Sequence, residues 1–120
     1  MRKVLYSPGF GAGWSTWNGF DKQQKQWLCE YKPFIDYIEQ HGELPRVSKD
    51  TWGDDYDVTD LGMQVIREWK AAFPDAPIPY LGGMKNLTIR YLQDNEQYRV
   101  EEYDGRETVV TRDMYEDEWL

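Results

Sequence analysis

Tyr98-Arg99-Val100-Glu101-Glu102-Tyr103-Asp104-Gly105-Arg106-Glu107-Thr108-Val109-Val110 decides the fold class of this chain. Tyr98, Val100 and Glu102 recur with the period of two that puts alternate side chains on opposite faces of a strand, and Thr108, Val109 and Val110 form a β-branched run after them. Between the two lies Asp104-Gly105, a pair suited to the positive φ angles of a tight hairpin turn. One segment upstream, Leu87, Ile89 and Tyr91 alternate with Thr88, Arg90 and Leu92 and predict a further strand. Val4-Leu5-Tyr6 predicts a short first strand, ended by Pro8.

Between these strands the periodicity is helical. Phe20, Gln24, Trp27, Tyr31, Phe34, Ile35 and Ile38 recur every three to four residues, which predicts a helix from about Asp21 to His41. Pro33 removes an amide donor and clashes with the preceding turn, so a break is expected near Tyr31 and Lys32. Gly42 is placed to cap the end in the left-handed conformation. Residues 43–58 look irregular. Thr59 or Asp60 is suited to cap a second main helix that runs to about Phe73 and buries Leu61, Val65, Ile66 and Trp69 on one stripe, after which Pro74, Pro77 and Pro79 forbid helix. The expected architecture is a single α+β domain over residues 1–120, a largely antiparallel β-sheet packed with two main helices.

The densest concentration of binding chemistry is Ser7-Pro8-Gly9-Phe10-Gly11-Ala12-Gly13-Trp14-Ser15-Thr16-Trp17-Asn18-Gly19. Alternate glycines at Gly9, Gly11 and Gly13 let a backbone aim several amides at one anion. Ser15 and Thr16 add hydroxyls, and Phe10, Trp14 and Trp17 offer faces on which a base can stack. The loop is neither a P-loop, which needs G-x-x-x-x-G-K-[ST], nor the G-x-G-x-x-G of dinucleotide enzymes. The competing reading is a strand-to-helix connection whose tryptophans fill the core. Arg2 and Lys3, just before the loop in sequence, and Arg90, on a strand expected to pair with the first, are the cations placed to join the loop's ligand; the competing reading of each, stronger for Arg2 and Lys3 than for Arg90, is an ordinary surface charge. Leu81-Gly82-Gly83-Met84-Lys85-Asn86 is a second amide-rich turn.

Composition narrows the partners. With 22 acidic and 14 basic residues the formal net charge is −8, which argues against nucleic-acid polymers and anionic membranes. Local cations still serve a small anion, because charges beyond about 8 Å are screened at physiological salt. Six tryptophans and nine tyrosines exceed the need of a small core and point to a ligand site or a contact between identical subunits. Cys29 is alone, so no intrachain disulfide forms; the absence of a signal-peptide core or an apolar span fits a reducing cytoplasm. His41 is the single histidine, and no G-x-S-x-G elbow surrounds any serine. Asp54, Asp55 and Asp57 lack EF-hand spacing, so no metal and no cofactor are expected. A binding protein without catalysis fits better than an enzyme.

Lys3 through Asn18, with Leu81-Gly82-Gly83 and Glu101-Glu102-Tyr103-Asp104-Gly105, resembles a widespread family of small bacteriophage proteins. The resemblance is specific in its N-terminal segment. It implies an anti-CBASS sponge, a phage protein that sequesters a cyclic dinucleotide alarm signal in the infected bacterial cytoplasm without cleaving it, and it implies an oligomer. Two other readings compete. One is an acidic inhibitor that mimics DNA through Asp54–Asp57 and Glu116–Glu118 to occupy a host nuclease; the other is a small nucleotide-handling enzyme.

Overall fold

The computed structural model describes residues 1–9, 12–45, 48–49, 55–56 and 60–111. Its elements are β1 (Arg2–Tyr6), α1 (Ser15–Asn18), α2 (Lys22–Cys29), α3 (Lys32–His41), β2 (Ser48–Lys49), β3 (Asp55–Tyr56), α4 (Asp60–Ala72), a 3-10 helix (Gly82–Asn86), β4 (Thr88–Leu92), β5 (Tyr98–Tyr103) and β6 (Arg106–Thr111). The class is α+β with antiparallel pairing throughout the described strands.

The helical stretch breaks where Pro33 requires it. Asp21 caps α2 by accepting the Gln24 amide at 2.8 Å, while the Gln24 side chain accepts the Phe20 amide at 2.8 Å. Helix α2 ends at Cys29, Tyr31 is extended, and α3 restarts with Pro33 in its first turn, where a missing amide proton costs nothing. Gly42 closes α3 at φ 86°. Among the described residues the expected break at Pro33 divides the long helix into α2 and α3, and the loop adds a single turn at Ser15–Asn18. One expectation needs correction. Within the stretch read as irregular, Ser48–Lys49 and Asp55–Tyr56 pair as a short antiparallel ladder.

Strand β1 organises the domain. It pairs antiparallel with β4, Val4 opposite Arg90 and Leu5 opposite Ile89. Because successive strand side chains point to opposite faces, Leu5 enters one apolar cluster and Val4 another. The larger cluster joins Leu28 of α2, Phe34, Ile35 and Ile38 of α3, and Val65 and Trp69 of α4. The smaller joins Val4 and Cys29 to Leu92, Tyr98 and Val109, and so seats the β5–β6 hairpin on the other side of β1. Burial of both faces explains why Val4-Leu5 is a continuous apolar run. The hairpin turns at Asp104 (φ 57°) and Gly105 (φ 80°), the paired positive angles that its Asp-Gly sequence is suited to adopt.

Candidate functional site

The glycine-rich loop leaves β1 at Ser7 and immediately meets the hairpin: the Glu107 amide donates to the Ser7 carbonyl at 2.7 Å. That bond brings the Glu107 side chain beneath the loop. One carboxylate oxygen accepts the Ser7 amide at 2.9 Å; the other accepts the amides of Trp14 and Thr16 at 2.8 and 3.0 Å and the Thr16 hydroxyl at 2.6 Å. Glu107 is 1% exposed. The loop is therefore an anion nest, as its composition predicts, and the anion it holds is the protein's own carboxylate.

This arrangement corrects the expected role of the glycines. Gly9 and Gly13 have no positive φ. At Gly13 the constraint is space: an added Cβ lies 2.6 Å from Thr16 Oγ1 and 3.1 Å from Glu107 Oε2. Gly83 of the second amide-rich turn is in the same position, since its Cβ falls 2.4 Å from the Gly13 carbonyl oxygen. The second turn, a 3-10 helix, thus packs on the first. At Gly9 the neighbour is the Asn86 side chain. Phe10 and Gly11, both expected at the ligand, lie outside the described residues.

The two tryptophans part company. Trp14 is 0% exposed, tilts against Phe34 with ring centroids 5.6 Å apart, and donates its indole proton to the Leu28 carbonyl at 2.8 Å. It is a core residue with no face for a base, which corrects the stacking role expected of it. Trp17 is 44% exposed, stacks on Tyr80 at 5.9 Å and donates to Glu102 at 3.3 Å. Asn18 fixes this turn by exchanging hydrogen bonds with both backbone groups of Tyr80.

Beside the loop, between α1, α2 and β5, lies a cleft of about 360 Å³. Ser15 and Thr16 form its inner wall; Lys22 and Lys25 of α2 and Arg99 of β5 bring positive charge, against Asp21. Phe20, 71% exposed, and Val100 supply its apolar surface. Arg99 is also held by Glu101 at 2.7 Å. A wider depression of about 460 Å³ between α2 and α3 carries Glu30 and Glu68 beside Lys32, a charge balance opposed to an anion. Sequence reasoning found Ser15 and Thr16 but missed Phe20, Lys22, Lys25 and Arg99. The signal available was the lysine pair one helical turn apart directly after the loop.

The other cations expected near a phosphate are placed elsewhere. Arg90 is exposed on β4 and does not line the cleft. Arg2 donates to Glu30 at 3.2 Å and to the Glu96 carbonyl at 2.9 Å, with its guanidinium 4.7 Å from the Tyr98 ring centre. Lys3 bonds Glu39 at 2.9 Å, and that carboxylate pushes its pKa up.

Behind the inner wall is a buried polar layer. Burial pushes the Cys29 thiol up to about 12, opposed by a hydrogen bond from Ser15. Tyr98 is likewise raised by burial, and its hydroxyl has no hydrogen-bond partner among the described residues. A thiol so shifted is not a nucleophile near neutrality. Among the described residues no group of three or more His, Cys, Asp or Glu side chains is arranged to hold a metal ion, and no helix is long and apolar enough to cross a membrane.

Comparison of the chain with protein-family models, with curated proteins and with solved structures returned no match.

Proposed function

We propose that this protein binds and sequesters a cyclic dinucleotide second messenger without cleaving it, as a bacteriophage sponge against host immunity. The observation that carries the reading is the cleft beside the glycine-rich loop, a concentration of Lys22, Lys25 and Arg99 in a chain of net charge −8, next to the exposed Phe20 ring. A cyclic dinucleotide presents phosphates and flat bases, and a receptor for it wants short-range cations, hydroxyls and an aromatic face. The binding role proposed for the loop is thereby moved. Its amides and the Thr16 hydroxyl hold Glu107 and Ser15 is buried, so the ligand is met by the cations of α2 and β5 and by the Phe20 ring.

Size favours a shared site. Ligand pockets run from about 300 to 1,000 Å³, so 360 Å³ suits one base and phosphate more readily than two of each. Two copies of the chain, each contributing one cleft, complete the complement and supply the affinity that sequestration needs, roughly 12 kcal/mol for a nanomolar Kd.

The test is titration calorimetry of the full chain against a panel of cyclic dinucleotides, followed by heat denaturation and chromatography of the released ligand. The expected result is tight binding of at least one member and its recovery intact. Lys25→Gln and Arg99→Gln should each weaken binding by about ten- to a hundredfold, in line with the roughly 1.5–3 kcal/mol of a charged hydrogen bond. No heat of binding across the panel overturns the reading. Recovery of a hydrolysed product would instead favour the enzyme.

A further inference from the structure

The depression between α2 and α3 has the opposite chemistry to the cleft. Gln23, Gln26, Trp27 and Glu30 recur at the three-to-four spacing that sets them on one face of α2, and all four line it. The break at Pro33 leaves Tyr31 extended between the helices, with its ring stacked on Trp27 at 4.8 Å. Glu68 of α4 completes the lining, accepting the Tyr31 hydroxyl proton at 2.5 Å and the Gln64 side-chain amide at 3.0 Å. We propose that this depression of about 460 Å³ is a binding site for an alkylammonium group, held between the Glu68 carboxylate and the Trp27 and Tyr31 rings.

Three observations carry it. The first is charge. Among the charges of the lining, Glu30 is paired with Arg2 at 3.2 Å and Lys32 with Asp36 at 2.9 Å, whereas both bonds to Glu68 come from neutral donors. No cation lies within 4.0 Å of the Glu68 carboxylate among the described residues; Arg67, next to it on α4, is exposed. Burial and Glu68 itself push the Tyr31 pKa up, so the phenol remains a proton donor. The second is the shape of the acceptor. Both bonds fall on Oε1, which leaves Oε2 as the open oxygen. One open oxygen suits the compact point charge of an ammonium better than the fork of a guanidinium, which seeks both oxygens of a carboxylate. The exposed Gln23 and Gln26 side chains offer amide oxygens to the remaining ammonium protons. The third is the aromatic wall. Indole is the ring that best attracts a cation, and more strongly where water is partly excluded. Trp27 is half-buried and packed edge to face with Trp69 and Phe73 at 5.4 and 6.1 Å, so its ring needs no ordering when a ligand arrives. The depression shares no lining residue with the cleft, so this site stands apart from the proposed function.

The test is titration of the full, isotopically labelled chain with diaminobutane, read by proton–nitrogen correlation spectra at the Trp27 indole, whose signal is assigned with Trp27→Phe. The expected result is a saturable shift of that signal, absent with butanediol, the uncharged counterpart. Glu68→Gln keeps an oxygen to accept the Tyr31 proton but removes the charge, and should weaken binding about ten- to a hundredfold. Lys32→Gln removes an exposed cation from the lining and should tighten binding about threefold, a gain that misfolding cannot mimic. No saturable shift up to about 20 mM diaminobutane overturns the proposal. An equal shift with magnesium chloride also overturns it, since that is general screening of a chain of net charge −8. Unchanged affinity in both charge variants does the same. Tighter binding of acetyl-arginine methylamide than of acetyl-lysine methylamide overturns the choice of an ammonium. Diaminobutane and acetyl-lysine methylamide separate the two sources of the group, a free polyamine or a lysine presented by a protein, and saturable binding of either supports the site.

Discussion

Thr16 donates its hydroxyl proton to Glu107 at 2.6 Å across 91 residues of sequence, and the Thr16 amide donates to the same carboxylate oxygen. This contact ties the turn that walls the cleft to the hairpin on the far side of β1. It also completes a set of four donors around a carboxylate that water does not reach.

Glu107→Ala should destabilise the fold by roughly 3 kcal/mol or more, because it strands the amides of Ser7, Trp14 and Thr16 without their acceptor at about 1–3 kcal/mol each. Thr16→Val should cost about 1.5–3 kcal/mol through loss of one charged hydrogen bond. The pair should be strongly non-additive in urea denaturation, since both substitutions delete the same contact. Additive effects would show that the contact contributes little.

The two tryptophans of the loop should respond differently. Trp14→Ala removes a fully buried ring and should cost about 3–5 kcal/mol. Trp17→Ala, at a half-exposed position, should cost about 1 kcal/mol or less. Thermal unfolding of both variants distinguishes them; equal losses would contradict the separation of core from surface within this turn.

Gly13→Ala forces a methyl group to within 2.6 Å of Thr16 Oγ1 and 2.7 Å of Trp17 Cδ1. Overpacking of this kind costs about 1–3 kcal/mol. The substitution should lower the unfolding midpoint, and a neutral result would mean that the loop moves away from Glu107 without penalty.

Cys29 predicts an alkaline signature. Its thiol titrates near 9.0 when unfolded and at about 12 in the fold. Between these values the unfolded chain binds fewer protons than the folded one, so stability falls as pH rises; the contribution is fully present below pH 9 and lost by about pH 12. Tyr31 and Tyr98, also raised by burial, add to the same decline. The stability of the wild type relative to Cys29→Ala should be flat below pH 9 and shrink above it. Iodoacetamide at pH 8 should label Cys29 only after denaturation; rapid labelling of the native protein would contradict its burial.

Much of the fold was legible because its rules are local. Period-two alternation located β4 and β5, Asp104-Gly105 located β6 as the hairpin partner of β5, Pro33 located the break between α2 and α3, and Gly42 located the end of α3. Each reports a preference decided within a few residues, by backbone sterics or by the spacing of apolar side chains. In the first loop only the richness in hydrogen-bond donors was legible in this way; the donors that hold Glu107 are the amides of Ser7, Trp14 and Thr16 and the Thr16 hydroxyl, with Gly13 required for space.

Which anion fills that nest was a matter for tertiary structure alone. Glu107 lies 91 to 100 residues from the amides it receives, in a strand whose local pattern treats it as an ordinary polar position. Only the seating of the hairpin on β1, driven by Val4, Tyr98 and Val109, carries its carboxylate under the loop. The same packing sends Trp14 inward and leaves Trp17 on the surface, and it sets Arg99 across from Lys22 and Lys25. Residues far apart in sequence share no periodicity that could announce their contact, so their meeting is decided by how apolar faces bury one another.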